Sequence, residues 1–442
     1  MRLLAKPQFD RADFSLCGEL RVPGDKSISH RSIMFGSLAN GTTNVTGFLE
    51  GADALATLNA FRSMGVEISD PNQGAVTIRG VGIHGLQASR LPLDMGNSGT
   101  SMRLLSGLLA GQSFTSTLVG DSSLSLRPME RVAKPLRMMG AKVDTAPKGL
   151  PPVHLAANAE LKGIDYVLPM ASAQVKSCVL LAGLYAEGAT STTEPAPTRD
   201  HTERMLQGFG YKVDVNGAVA QLDGGGELTA CDVDIPSDIS SAAFFMVAAS
   251  IAKNADVTLK HVGVNPTRTG VIDILKLMGA NIQLSNEQVV GGEPIADISV
   301  RSAQLKGIVI PEALVPLAID EFPALFVAAA FAEGETRLTG AEELRVKESD
   351  RIQAMVDGLQ LLGVDAVGTE DGAIIRGQET DAVLDKEVSI VCHHDHRIAM
   401  AFAIASVRTR TSIRVDNCDN INTSFPNFFE LANALGMDIQ SI

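Results

Sequence analysis

Apolar and polar positions along the chain repeat one arrangement six times. A run with apolar residues at helical spacing ends in an apolar residue and then Gly. A small or apolar residue follows, after which polar and apolar positions alternate as in a strand. The pattern reads Met64-Gly65-Val66-Glu67-Ile68, Met139-Gly140-Ala141-Lys142-Val143 and Phe209-Gly210-Tyr211-Lys212-Val213. It returns as Met278-Gly279-Ala280-Asn281-Ile282, Leu362-Gly363-Val364-Asp365-Ala366 and Leu435-Gly436-Met437-Asp438-Ile439. The glycines recur every 69 to 84 residues. Gly just past a helix supplies the left-handed conformation that ends it, and period-two alternation marks a half-buried strand. The spacing is too long for a solenoid repeat and fits a multi-element α/β unit. Six such units group as two domains of three, with the boundary near Pro236, after Gly224-Gly225-Gly226 and before a helical run at 240–252. Polar alternation in Gly74-Ala75-Val76-Thr77-Ile78-Arg79 predicts antiparallel pairing beside parallel pairing.

Upstream in each unit, a loop of small or polar residues opens a helix. These loops are Pro23-Gly24-Asp25-Lys26-Ser27, Gly96-Asn97-Ser98-Gly99-Thr100, Ala171-Ser172-Ala173-Gln174, Pro236-Ser237-Asp238-Ile239-Ser240, Ile319-Asp320-Glu321-Phe322-Pro323 and His393-His394-Asp395-His396-Arg397. Ser, Asn and Asp cap helices, so six capped helices are the plain reading. Helix starts also carry unpaired N–H groups and partial positive charge, which suits anions. Lys26 with Arg31, then Arg103, Lys176 and Arg397 lie beside these starts. The first three loops therefore read as anion sites. The fourth has no cation nearby in sequence and reads as capping alone.

Composition narrows the partners. The 442 residues carry 37 Lys+Arg against 51 Asp+Glu, a formal charge of −14, and are 45% hydrophobic and 20% charged. That describes a globular protein. Negative charge and 4% aromatics without Trp argue against nucleic acid as a partner. The apolar run at 322–332 is too short to span a bilayer, so no membrane role is expected. Lys6, Pro7 and Asp10 interrupt the N-terminus before a signal-peptide core could form. The five cysteines (17, 178, 231, 392 and 418) include no CxxC pair, which fits reduced thiols in a cytoplasm. A net-acidic chain whose cations gather at helix starts looks built for a small polyanion.

Further candidates for chemistry follow. Arg127 lies in Leu124-Ser125-Leu126-Arg127-Pro128, and Arg199 in Thr198-Arg199-Asp200-His201. Arg345-Val346-Lys347-Glu348-Ser349-Asp350-Arg351 is the densest charge cluster, either a solvated face or a site. Asp320 stands at an apolar turn, as an N-cap or as a base near a lysine. Three histidines crowded into residues 393–396 seldom share one metal, so no metal is expected. Gly24-Asp25-Lys26-Ser27 lacks the first glycine of a nucleotide-binding loop, because residue 20 is Leu.

With these residues in place, the chain resembles the 5-enolpyruvylshikimate-3-phosphate synthase family of enolpyruvyl transferases. The resemblance rests on Val22-Pro23-Gly24-Asp25-Lys26-Ser27-Ile28-Ser29-His30-Arg31, Gly96-Asn97-Ser98-Gly99-Thr100-Ser101-Met102-Arg103 and Leu344-Arg345-Val346-Lys347-Glu348-Ser349-Asp350-Arg351. Asp395-His396-Arg397 and Ser424-Phe425-Pro426 add to it. It implies a two-domain inside-out α/β barrel, each domain of three βαβαββ units, with the active site in the interdomain cleft. The first domain would span 22–236, and 1–21 would join 237–442 in the second. The implied reaction moves the enolpyruvyl group of phosphoenolpyruvate to the 5-hydroxyl of shikimate-3-phosphate. It releases phosphate through a tetrahedral intermediate, as a step of the shikimate pathway to chorismate and the aromatic amino acids. No cofactor would be needed, and a cytoplasmic monomer inhibited by glyphosate is expected.

Roles carry over by motif position. Ser27 and Arg31 would hold shikimate-3-phosphate near its carboxylate, and Ser172, Ala173 through its N–H, and Arg199 near its phosphate. Gln174 would lie across the ring and reach phosphoenolpyruvate as well. Lys26, Arg127, Arg351 and Arg397 would grip phosphoenolpyruvate beside the Gly99 backbone, with Lys26 touching both substrates. Asp320 and Lys347 would flank the 5-hydroxyl. Asp320 would be the general base, with Lys26 the competing proton acceptor. Glu348 would protonate the methylene carbon and later remove a proton from the methyl, which suits a carboxyl of raised pKa. Thr423 stands where many members have Lys, and Ser98 and Ser101 replace common alanines, while Gly99 leaves room for glyphosate. The related transferase acting on UDP-N-acetylglucosamine carries a reactive Cys in the loop that here reads Asp121-Ser122-Ser123-Leu124-Ser125-Leu126-Arg127-Pro128. A non-catalytic anion-binding scaffold would need the cations but neither Asp320 nor Glu348.

Overall fold

All six predicted helix ends are present in the structure, a computed structural model that describes residues 1–8, 10–11, 14–157, 160–377 and 387–442. Gly65, Gly140, Gly210, Gly279, Gly363 and Gly436 take φ between 77° and 103°, where a side chain is strained. In each, the glycine N–H and the next N–H close back on the final helical turn, as Gly140 N does on Arg137 O and Ala141 N on Leu136 O. A strand follows every one, from Glu67–Ile68 to Ile439–Ser441.

The strands form six sheets with a common plan. The first strand pairs parallel to the second, and the last two form an antiparallel hairpin laid against the second. Asp165–Val167, Ala189–Thr193, Asp214–Asn216 and Val219–Asp223 show it in full. The described chain divides into two compact units, one of Gly24–Ile235 with Val289–Glu293, the other of Met1–Pro23, Pro236–Gln288 and Pro294–Ile442. Periodicity alone hides how their sheets are completed. In the 24–235 unit, Leu228–Thr229 and Val233–Asp234 return to pair parallel with Ala39–Thr46. In the 236–442 unit, Leu16–Leu20 pairs parallel with Ala255–Gly263. Arg2–Ala5 lies between Ile413–Asp416 and Ile439–Ser441, antiparallel to both. One sheet keeps three strands (Gly334–Leu338, Asp365–Gly368, Ala373–Gly377). Its fourth place holds only isolated bridges, Lys306 to Glu333 and Val309 to Arg337.

Helices that follow the first strands fill each interior. Ile239–Ile251, Phe322–Ala330 and His396–Ala405 are buried along their whole lengths and pack on one another, as helices apolar on every side do. Lys26–Leu38, Gly99–Ala110 and Ala173–Gly183 are the counterparts in the 24–235 unit. Each unit has its own hydrophobic core around them. These six are the helices opened by the polar loops, and side-chain caps hold five of the starts: Asp25, Ser98, Ser172, Asp238 and Asp395. Among the described residues no helix is long and apolar enough to cross a membrane.

His30 shows how polar groups enter the packing. It is fully buried in Lys26–Leu38, with Nδ1 2.8 Å from Thr57 Oγ1, itself 2.7 Å from Ser101 Oγ. Burial, with Lys26 and Arg31 close by, pushes its pKa down to about 3, so the imidazole is neutral.

The unfolded chain therefore binds a proton at His30 near pH 6.5 that the folded chain refuses. Stability contributed by neutral His30 is complete above that pH and falls by up to about 1.4 kcal/mol per unit as pH drops toward 3. A His30→Asn variant should lose that part of the slope between pH 6 and 4 in urea titrations; an unchanged slope refutes the assignment. Gly140→Ala should lower the unfolding free energy by about 1 kcal/mol. Gly208→Ala, at a helical position without positive φ, should be neutral or gain up to about 1 kcal/mol. Equal responses of the two would contradict the role given to the helix-ending glycine.

Candidate active site

In the 24–235 unit, cations meet at three helix starts. Asp25 caps Lys26–Leu38 by accepting from Ile28 N at 2.9 Å, which sets the first turn and its side chains. Lys26 Nζ lies 3.2 Å from Asp53 Oδ2. Arg31, buried one turn on, donates from Nε to Thr202 Oγ1 (2.7 Å), from Nη1 to Ser27 O (3.0 Å) and from Nη2 to Ser177 Oγ (2.8 Å). Burial lowers its pKa to about 10, against the pull of Glu203 and Asp25 and with the help of nearby Arg199. It remains a cation at neutral pH, held by uncharged oxygens.

The second and third starts are tied together. Ser98 caps Gly99–Ala110 and Ser172 caps Ala173–Gly183. Gln174 joins them, accepting from Arg103 Nη1 at 2.6 Å and donating to Thr100 Oγ1 at 3.0 Å. Arg127 reaches the same loop, donating to Asn97 O (3.3 Å), Asn97 Oδ1 (2.7 Å) and Ser123 Oγ (3.1 Å). Gly99 sits under both guanidiniums: a Cβ there would stand 3.0 Å from Arg103 Nη1 and 3.5 Å from Arg127 Nη1. Ser27, Ser172, Ala173, Gln174 and Arg199 are half-buried. Together these form a surface of guanidinium, amide and hydroxyl groups at converging helix N-termini, which is chemistry for anionic oxygens.

The 236–442 unit gathers the acid–base candidates. Asp320 is not the cap of Phe322–Ala330; the residue at that position is Glu321, and no side chain caps the helix. The Asp320 carboxylate instead faces Arg351 Nη1 at 3.4 Å, Lys347 Nζ at 3.6 Å and Arg397 Nη2 at 4.0 Å. Arg397 Nη1 also donates to Asp320 O at 2.9 Å. Arg351 is 1% exposed and contacts Asp395 Oδ2 through Nε at 2.8 Å and Glu348 Oε2 through Nη2 at 2.6 Å. Burial opposes its charge, but Asp395, Glu348 and Asp320 outweigh burial and hold it above its ordinary range. Lys347 contacts Glu343 Oε1 at 3.3 Å as well. The dense charge run is therefore no solvated helix face. Residues 342–346 form a short turn of helix, and Arg351 opens the helix that follows.

Two sequence readings change. Lys176 is 2% exposed and clasped by Glu203 (2.8 Å) and Glu194 (3.0 Å), so it is no anion-binding cation. The fourth helix start has a cation after all: Arg268, thirty residues downstream, contacts Asp238 Oδ1 at 3.2 Å and Ser240 Oγ at 2.8 Å. Glu321 joins that group, bonded to the Ser240 hydroxyl. Partners such as Asp53, Thr202 and Ser177 carried no motif; their one signal was a polar residue in an otherwise buried or capped stretch. His393 and His394 are exposed at positive φ, and among the described residues no group of three or more His, Cys, Asp or Glu side chains is placed to hold a metal.

Comparison with known proteins agrees with this arrangement. The family model described as EPSP synthase (3-phosphoshikimate 1-carboxyvinyltransferase) matches residues 12–431. The 3-phosphoshikimate 1-carboxyvinyltransferase of Hydrogenovibrio crunogenus is 64% identical over 430 residues, 96% of each chain. That of Alkalilimnicola ehrlichii is 63% identical over 96% of this chain and 94% of its own. A solved structure of EPSP synthase from Acinetobacter baumannii superposes with a TM-score of 0.90 at 59% identity, covering all of both chains. The enolpyruvyl transferase NikO from Streptomyces tendae shares the fold at 16% identity, with a TM-score of 0.79 over 99% of this chain and 98% of its own. A match of this length and identity, on a chain whose cations and carboxylates gather as described, places the protein in the EPSP synthase family.

Proposed function

We propose that this enzyme transfers the enolpyruvyl group of phosphoenolpyruvate to the 5-hydroxyl of shikimate-3-phosphate, by addition and elimination, and that the two clusters divide the work. In the 24–235 unit, Ser27, Arg31, Ser172, Ala173, Gln174 and Arg199 hold shikimate-3-phosphate, while Lys26, Gly99 and Arg127 receive phosphoenolpyruvate. In the 236–442 unit, Arg351 and Arg397 grip phosphoenolpyruvate, and Asp320, Lys347 and Glu348 carry out proton transfer. Asp320 takes the proton of the 5-hydroxyl as its oxygen attacks C2 of phosphoenolpyruvate. Glu348 delivers a proton to C3, giving a tetrahedral adduct with a methyl group. Elimination reverses the proton step at that methyl and expels phosphate. Lys26 is the alternative acceptor for the hydroxyl proton. The enzyme works as a cytoplasmic monomer without metal or cofactor, and glyphosate binds it.

The observation that carries this reading is the Asp320 carboxylate among Lys347, Arg351 and Arg397 at 3.4–4.0 Å. These contacts are longer than the roughly 2.7–2.9 Å of a tight charge-assisted hydrogen bond. A substrate hydroxyl can enter among these three cations without breaking a contact as short as that. A scaffold that only bound anions would gain nothing from a carboxylate there.

Phosphate release should require both phosphoenolpyruvate and shikimate-3-phosphate, fail with UDP-N-acetylglucosamine as acceptor, and be insensitive to a chelator. Glu348→Gln should cut kcat at least a hundredfold while the dissociation constant of shikimate-3-phosphate stays within about threefold. In deuterated water it should also suppress deuterium entry into the C3 methylene; normal entry would remove Glu348 from the proton path. Gly99→Ala places a methyl against Arg103 and Arg127. It should raise the KM for phosphoenolpyruvate several-fold and the inhibition constant of glyphosate more; equal sensitivity would separate glyphosate from this subsite.

A further inference from the structure

Behind the shikimate-3-phosphate residues lies a buried ionic group with no part in the mechanism above. Lys176 Nζ bridges Glu203 Oε1 at 2.8 Å and Glu194 Oε1 at 3.0 Å, with the three side chains 2%, 4% and 11% exposed. Each partner adjoins the binding surface. Lys176 precedes Ser177 and Glu203 follows Thr202, the two hydroxyls that hold the Arg31 guanidinium. Glu194 Oε2 accepts from Thr198 Oγ1 at 2.5 Å, one residue before Arg199. The other Glu203 oxygen, Oε2, is buried without a hydrogen-bond partner.

Glu203 thus stands close enough to Arg31 to favour its charge, yet the hydrogen bonds of Arg31 go to neutral oxygens. Without Lys176, the cheapest partner for a buried Glu203 would be Arg31, and Glu194 would turn to the Arg199 loop. We propose that Lys176 is a positioning residue that engages Glu194 and Glu203 and so keeps Arg31 committed to the anionic substrate. The proposal rests on the reading that Arg31 holds shikimate-3-phosphate.

The charge of the triad makes it testable. Lys176 with two glutamates sums to −1; Lys176→Met makes it −2; Lys176→Met/Glu194→Gln/Glu203→Gln makes it 0. Binding of shikimate-3-phosphate, measured by calorimetric titration, should weaken at least tenfold in Lys176→Met. In the triple variant it should return to the wild-type value or better, and Lys176→Arg should stay near wild type. In turnover, the KM for shikimate-3-phosphate should rise in Lys176→Met, with kcat and the KM for phosphoenolpyruvate within about threefold. A merely structural lysine would give the opposite order, with the triple variant the weakest binder, and that result overturns the proposal. So does wild-type affinity in Lys176→Met. Should Lys176→Met not fold, Lys176→Met/Glu194→Gln takes its place, leaving Glu203 unpaired beside Arg31, and the same order is expected. Arg31→Met is the control. If it binds shikimate-3-phosphate like the wild type, the assignment of Arg31 fails, whatever Lys176 does.

Discussion

Everything at the helix starts depends on keeping buried cations paired while no ligand is bound. The contact that does this most fully is Arg351 with Asp395, at 2.8 Å between a guanidinium 1% exposed and a carboxylate fully buried. Removing either partner from such a pair leaves an uncompensated charge, at a cost of about 3–5 kcal/mol. Asp395 has further duties, accepting from Ser349 Oγ at 3.1 Å and capping the Arg397 N–H at 3.0 Å. One carboxylate therefore fixes a helix start, an arginine on that helix and the arginine opening another. The position of Arg397, and through it the contact with Asp320 O, follows from that bond.

In the 24–235 unit Lys26 and Lys176 also have carboxylate partners, but two arginines are held by neutral groups. Arg31 is held by two hydroxyls and a carbonyl, and Arg127 by an amide, a carbonyl and a hydroxyl. Such partners orient a guanidinium without cancelling its charge, so an arriving anion finds the field intact. In the 236–442 unit, carboxylates occupy the cations and an anionic ligand has to compete with them. That difference suits a division between binding and proton transfer, because carboxylates among the cations can take up and return protons.

Much of this was legible in the sequence, for reasons that differ by residue. The helix-ending glycines are visible because left-handed backbone admits few other residues, and the six polar helix starts because caps draw on a short list of side chains. Lys26, Arg31, Arg351 and Arg397 stand in motifs, so the resemblance singled them out. The completion of sheets by Arg2–Ala5 and Leu16–Leu20 was invisible to periodicity, since pairing across some 240 to 440 residues leaves no local trace. Lys176 was misread for a related reason: it lies at a helix start in sequence, but Glu194 and Glu203, which claim it, arrive from other elements. Arg268 reversed the reading of the fourth start in the same way.

The two clusters also differ in charge balance, and that bears on how the substrates are held. Lys347, Arg351 and Arg397 are matched by Asp320, Glu343, Glu348 and Asp395, so the 236–442 cluster is close to neutral. Thr423, where many members of the family have Lys, adds no charge there, and its hydroxyl is bonded to Asn420 O at 2.6 Å. In the 24–235 unit, Arg31 and Arg127 are held by neutral groups, which leaves their field available to an anion. In a chain of net charge −14, a local patch of guanidinium charge gives anions a place to collect. A near-neutral cluster suits work on a bond being made, where short-range geometry counts for more than field.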